Sequence, residues 1–299
     1  MMLLDEILNE IGVQGECSGK VHFEVLALVG MKNDKRILTF IENEKYIDSL
    51  SKNSVVLTTP KTAPKIFTDG VCICEEPRLL YFKIHNYLSK KDGYRRKSFK
   101  TKVGDGCEIS PLSYIAKCNV VIGDNVTIEE FVSIKEDTVI GDNCTIGTGS
   151  VIGGTGFEFK RLDNEIMSVA HVGGVIIGNN VEIQYQTVVD RAIYPWDNTV
   201  IDDYCKIDNL IHIAHSVKLK KRVLIAANAL VAGRTCVGDD VWIGPSSTII
   251  NGIFVGDKAR VNIGAVVTKN VADNESVTGN FAIEHTKFIR NLKAQSKDS

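Results

Sequence analysis

Residues 206–237, KIDNLIHIAHSVKLKKRVLIAANALVAGRTCV, set an aliphatic side chain at every sixth position: Ile207, Ile213, Leu219, Ile225, Val231 and Val237. An α-helix repeats near 3.6 residues and an ordinary strand every second residue, so a sustained period of six belongs to a repeat architecture. Working outward, the same register extends back through Ile201, Val189 and Ile183 to Ile177 and forward through Ile243, Ile249, Val255 and Val261 to Val267, with Pro195 as its interruption. An earlier run takes Ile122, Ile128, Ile134, Ile140, Ile146 and Ile152. Four places after each aliphatic, a small or branched residue recurs, as at Val126, Cys144, Ser150, Thr187, Cys205 and Thr235. This is the hexapeptide signature of a parallel β-helix.

Three hexapeptides make a triangular coil of about 18 residues that rises about 4.8 Å, so the two runs predict about eight coils. Residues 101–279 are accordingly read as the β-helix, with a loop at 153–176 outside the register, and 280–299 as a short tail. Residues 1–100 show no such period and read as an α/β domain. Within it, helices are predicted at Met2–Ile11 and Glu76–Leu88 and strands at Lys35–Phe40 and Ser54–Thr58. The basic stretch Lys90–Lys102 reads as a solvated linker that could also meet phosphates.

The 299 residues carry 44% hydrophobic and 24% charged side chains, the profile of a soluble globular protein. A formal charge of −2 without a basic block argues against a nucleic-acid footprint. The first ten residues hold Asp5 and Glu6 where a signal peptide needs basic residues, and no stretch is apolar enough to span a bilayer. A cytoplasmic protein is expected. The eight cysteines form no CxxC pair, and Cys144 and Cys205 fall at the small-residue place of the repeat, so they are read as structural.

His215 is the third residue of its hexapeptide, at a prism edge. The coil length sets Gly233 beside it, and the same count stacks Asp190 on Asp208 and Arg191 on Asn209. A histidine can take a proton from an attacking amine or hydroxyl, and a neighbouring backbone N–H can hold an oxyanion. Together they suit acyl transfer; the plainer alternative is an ordinary surface histidine on a solenoid edge. His212 and His215, three apart, raise a metal site, but the repeat phase aims them apart and zinc would need a third ligand. No metal is expected.

These stretches, VIGGTGFEF (151–159), VIIGNNVEI (175–183), VVDRA (188–192), KIDNLIHIAH (206–215) and LIAANALVAG (224–233), resemble the bacterial hexapeptide acyltransferases with a left-handed β-helix. Among these they are most similar to the UDP-3-O-(3-hydroxyacyl)glucosamine N-acyltransferases of lipid A synthesis. The resemblance implies His215 as general base, Gly233 N–H as oxyanion donor, Asp208 as the residue that orients the histidine, and Asn209 close to the same site. It also makes Phe40-Ile-Glu-Asn-Glu-Lys-Tyr46 similar to the FxxNxxY stretch that holds a uracil ring, with Phe40 and Tyr46 sandwiching the base and Asn43 reading its edge. The alternative for these aromatics is a place in a small domain core. The loop 153–176 is expected to shield the site, with Phe157, Phe159 or His171 reaching the ligand; the alternative for His171 is an ordinary loop residue.

Three departures shape the functional expectation. Ile253 follows Asn251-Gly252 where the lipid A enzymes carry a second histidine, the tail is shorter, and GAVVTKNVADNESVTGNFA (264–282) resembles the last coil of sugar acetyltransferases that use acyl-CoA. They favour an N-acyltransferase that moves a short acyl group from acyl-CoA to the amine of a UDP- or dTDP-linked amino sugar for a surface glycan. A groove between subunits of a homotrimer would hold the acceptor, and no cofactor would be bound. The alternatives are the lipid A reaction with an acyl carrier protein thioester, a non-catalytic sugar-nucleotide-binding scaffold, and a zinc enzyme resembling β-helical carbonic anhydrases.

Overall fold

The computed structural model describes residues 1–31, 34–279 and 282–295. They divide into two compact units, one of 1–98, 155–173 and 192–197, the other of 99–154, 174–191 and 198–299.

In the second unit the chain winds into three parallel sheets of eight, eight and nine strands, which form a left-handed β-helix. Face 1 runs from Tyr114–Ile115 to Val266–Val267, face 2 from Lys102–Val103 to Phe254–Val255, and face 3 from Glu108–Ile109 to Ser276–Val277. The period-six side chains point inward: Ile207, Ile213, Leu219, Ile225 and Val231 are at most 2% exposed. Burying each such side chain contributes about 1.5–3 kcal/mol, so the repeat itself supplies the core. The small place carries polar groups because corner carbonyls lie beside it. Ser150 Oγ donates to Gln184 O at 2.7 Å, Thr187 Oγ1 to Asp208 O at 2.9 Å, and Cys205 Sγ to Lys220 O at 3.0 Å. Burial pushes the Cys205 thiol up to about 12, which fits a structural cysteine.

Each coil turns through residues in the left-handed region, again six apart: Tyr204, Leu210, Ser216, Arg222, Asn228 and Arg234 have φ between 58° and 63°. Such a backbone is unfavourable for side chains larger than glycine, and the hydrogen-bonded ladders on both sides hold it in place. Between faces 2 and 3 a further ladder forms, in which Asp142 accepts the Asp124 N–H and Asn179 the Asp142 N–H, both at 2.8 Å. Gly141 permits this approach, since a Cβ there would lie 2.5 Å from Asn179 Oδ1.

The first unit is built on a five-stranded sheet in the order Glu16–Gly19, Gly70–Ile73, Val55–Thr58, Ile37–Ile41, Val25–Leu26, with only the first pairing antiparallel. Helices α1 (Leu4–Glu10) and α2 (Pro77–Leu88) lie where the sequence puts them. Their apolar residues Leu4, Leu8, Tyr81 and Ile84 share one core with Phe23, Leu38 and Leu57.

The stretch 90–102 is largely exposed, as a solvated linker is expected to be, and is anchored at two points: Tyr94 OH lies 2.9 Å from His85 Nδ1, and Arg96 Nε donates to Pro195 O at 2.8 Å. Within the segment 153–176, residues 155–173 leave the coil and carry structure of their own. They contain a hairpin of Phe159–Arg161 with Ile166–Ser168, and Asn86 pins it by bonds to Ser168 O at 2.7 Å and from Ala170 N at 2.8 Å. Finally, residues 192–197 leave the coil and pair with that segment, through Val172 N to Ile193 O and Gly173 N to Ala192 O. Val188 therefore aligns with His212 and Val189 with Ile213, so Asp190 does not stack on Asp208. Of the tail, α3 (His285–Gln295) is helical; residues 280, 281 and 296–299 lie outside the described residues.

Candidate active site

His215 sits at the corner between faces 1 and 2, just after the strand His212–Ile213, and is 7% exposed. One coil on, Gly233 packs directly against it. A Cβ on Gly233 would lie 2.7 Å from both Cε1 and Nε2 of the imidazole. Only the absence of a side chain lets the backbone approach the ring edge so closely. The spacing argument from the sequence is therefore realised at this pair. Arg234 N donates to His215 O at 2.9 Å, holding the two coils in register, and the Gly233 N–H meets no backbone acceptor among the described residues.

Asp208 and Asn209 occupy a different corner, between faces 3 and 1. The Asp208 carboxylate accepts the N–H groups of Asn209 at 2.7 Å and Ala227 at 2.9 Å, and Asn209 Oδ1 accepts the Tyr185 N–H at 3.0 Å. Both side chains thus complete the turn ladder, which corrects the expectation that Asp208 orients His215.

A carboxylate that reaches a histidine is Asp190. Its Oδ2 lies 2.8 Å from His212 Nε2, and its own carbonyl accepts the Thr199 hydroxyl at 2.6 Å. Thr199 Oγ1 in turn accepts the Ser216 N–H at 2.8 Å, tying Asp190 to the residue after His215. Asp190 is 4% exposed whereas the His212 side chain is 41% exposed, so the pair offers an imidazole to solvent from a buried anchor. The hydrogen bond to Asp190 raises the His212 pKa above its ordinary value, against a smaller opposing effect of burial. Counting through residues 192–197 hid this pair; removing those six brings Asp190 opposite Ala214 and Arg191 opposite His215. Arg191 reaches along the same corner, its Nε donating to Gly153 O at 3.0 Å and its guanidinium 3.9 Å from Asp137.

Chemically, the corner sets the His215 imidazole against the Gly233 backbone and adds the His212 imidazole, whose pKa Asp190 raises. The first two suit proton removal and oxyanion support in acyl transfer. The third can hold an anionic or hydroxyl group of an acceptor. Among the described residues, no three His, Cys, Asp or Glu side chains converge on a point where a metal would sit.

In the first unit, Asn43 caps a short 3₁₀ turn, Glu44–Ser49, by accepting the Lys45 N–H at 3.1 Å. Tyr46 stands exposed on that turn, with Lys45 Nζ 4.7 Å from its ring centre. Phe40 is half-buried against Tyr81 and Phe82, with ring centres 5.1 and 6.4 Å away. Phe40 is therefore partly a core aromatic. Phe157 and Phe159 are exposed and meet edge to face at 4.8 Å, while Lys160 lies over Phe82 at 4.3 Å. A cavity of about 330 Å³ is lined by Glu42, Arg78, Phe159, Lys160 and Arg161, among others. His171 is buried, its Nδ1 3.0 Å from Val169 O.

Comparison with known proteins agrees with this fold. Residues 119–154 match the family described as bacterial transferase hexapeptide (six repeats), and residues 234–269 the hexapeptide repeat of succinyl-transferase. A UDP-3-O-acylglucosamine N-acyltransferase of Albidiferax ferrireducens is 32% identical over 298 residues, covering 95% of this chain and 88% of its own length. UDP-3-O-acylglucosamine N-acyltransferase 2 of Legionella pneumophila (strain Lens) is 39% identical over 152 residues, or 50% of this chain. The matches to this protein and to the Delftia acidovorans enzyme span only 44% and 43% of those relatives. Among solved structures, the UDP-N-acetylglucosamine acyltransferase of Arabidopsis aligns with a TM-score of 0.52 at 27% identity, covering 64% of this chain and 67% of that one. The Campylobacter jejuni protein of the same name aligns at 0.54 and 23%, covering 65% and 78%, which bears on the fold alone.

Proposed function

The chain belongs to the hexapeptide-repeat acyltransferase family that includes the UDP-3-O-acylglucosamine N-acyltransferases, and from that premise we propose that it transfers an acyl group from a thioester to the amine of a UDP-linked amino sugar. The observation that carries this reading is Gly233 packed on the His215 ring, an arrangement that suits a base beside a backbone N–H. His215 takes a proton from the amine as it attacks the thioester carbonyl. Gly233 N–H supports the oxyanion, and the thiol departs as the tetrahedral intermediate collapses. His212, held by Asp190, orients the acceptor.

The names of the relatives support UDP-3-O-acylglucosamine as the acceptor, and they name neither acyl carrier protein nor acyl-CoA as donor. The departure at Ile253 concerns a side chain packed against the β-helix core, so it adds no polar group to the site. Phe40, Asn43 and Tyr46 would hold the nucleotide, with Phe157 and Phe159 as further contacts. Exposed Leu112, Phe131, Tyr185 and Leu210 line the corner between faces 3 and 1 and support assembly as a homotrimer.

The experiment is thiol release from acyl carrier protein and acyl-CoA thioesters of several lengths, with UDP-3-O-acylglucosamine and simpler UDP-amino sugars as acceptors. Release that requires a UDP-amino sugar and is lost in His215→Ala is expected. Binding of the sugar nucleotide without release would leave a scaffold in place of an enzyme. Turnover with short acyl-CoA alone would restore the surface-glycan reading.

A further inference from the structure

Cys17 and Cys72 stand directly opposite each other on the antiparallel strands Glu16–Gly19 and Gly70–Ile73. Directly opposed residues of an antiparallel pair hold their Cα atoms about 4.5–5.5 Å apart, inside the range of about 4.4–6.8 Å that a disulfide spans.

Both side chains leave the sheet on the same face, since Cys72 is buried in the core formed with Leu4 and Leu8 and Cys17 packs against it. The neighbouring Cys72, with burial and Asp5, raises the Cys17 thiol above its ordinary value, and Cys17 lowers that of Cys72. Glu16–Gly19 is an edge strand and Cys17 is only half-buried, which makes it the more accessible residue of the pair. Gly15 leaves the space over Cys72 free of a side chain, since a Cβ there would lie 2.7 Å from Sγ.

We propose that Cys17 and Cys72 form a reversible cross-strand disulfide, making this sheet edge a redox site for small-molecule disulfides. Cys17 attacks one sulfur of the oxidant as its proton passes to the Cys72 sulfur, and expels the other as a thiolate, leaving a mixed disulfide on Cys17. Cys72 then attacks the Cys17 sulfur and expels the second small thiolate. The two protons lost by the cysteines end on the two released thiols, and the oxidant is reduced by the two electrons the pair gives up. The ring so closed contains Phe40, Asn43 and Tyr46, so oxidation would fasten the edge strand of the unit that carries them.

The test treats the full chain with oxidised glutathione, alkylates remaining thiols and maps the peptides by mass. Expected is a Cys17–Cys72-linked peptide that dithiothreitol releases, with Cys236, exposed on face 2, forming only a glutathione adduct. Cys17→Ser should abolish the link and leave Cys72 unmodified. A stable glutathione adduct on Cys17 without the link, or both cysteines remaining alkylatable, would overturn the proposal on the unmutated protein alone.

Discussion

Gly233→Ala should inactivate the protein without unfolding it. The added methyl would sit 2.7 Å from both Cε1 and Nε2 of His215, whereas non-bonded heavy atoms rest at about 3.5 Å or more, so the ring must retreat by about 0.8 Å. Displacing a reacting group by about 1 Å costs about 100-fold in rate, which corresponds to about 2.7 kcal/mol of lost transition-state stabilisation. Gly233 does not use the left-handed region, so alanine fits its backbone and the thermal midpoint should stay close to that of the unmodified chain. The assay is kcat/KM for thiol release, in a cycle with His215→Ala. The two substitutions act on one contact, so adding Gly233→Ala to His215→Ala should change the residual rate by less than about threefold. If Gly233→Ala alone kept a third of the activity, the idea that this contact sets the reacting geometry would fail.

Burial holds His85 down to about 4, and its unfolded value is about 6.5. Its contribution is complete above the unfolded value and is lost as pH falls toward about 4, to a limit of about 3 kcal/mol; denaturation of His85→Gln across that window should lack this component. His212 has the opposite sign, because Asp190 raises its pKa: its contribution is present below the ordinary imidazole value and fades as pH rises through the folded one. His212→Gln should remove that trend from melting curves and raise KM for the UDP-amino sugar more than it lowers kcat. Leu210→Asp, at an exposed apolar position, should convert a trimer to monomers in light scattering; an unchanged mass would exclude that corner as the interface.

The β-helix was legible from its core alone, because one aliphatic per six residues survives any choice of outward side chain. Its left-handed turn residues were not, since Tyr204, Leu210, Arg222 and Arg234 share the same φ without sharing a chemistry. The His215 and Gly233 pair was legible for the same reason as the core: no insertion falls between them, so coil arithmetic holds. It failed for Asp208, where six residues leave the coil between Arg191 and Asn198 and shift every earlier position by one hexapeptide.

Local periodicity therefore determined which residues face inward and which coil follows which, because each strand needs only its neighbours to bury its aliphatic row. Only the tertiary structure decided that 155–173 and 192–197 pair with each other and that Asp190 meets His212. Those contacts join residues whose spacing depends on an excursion of the chain, and an excursion carries no period of its own.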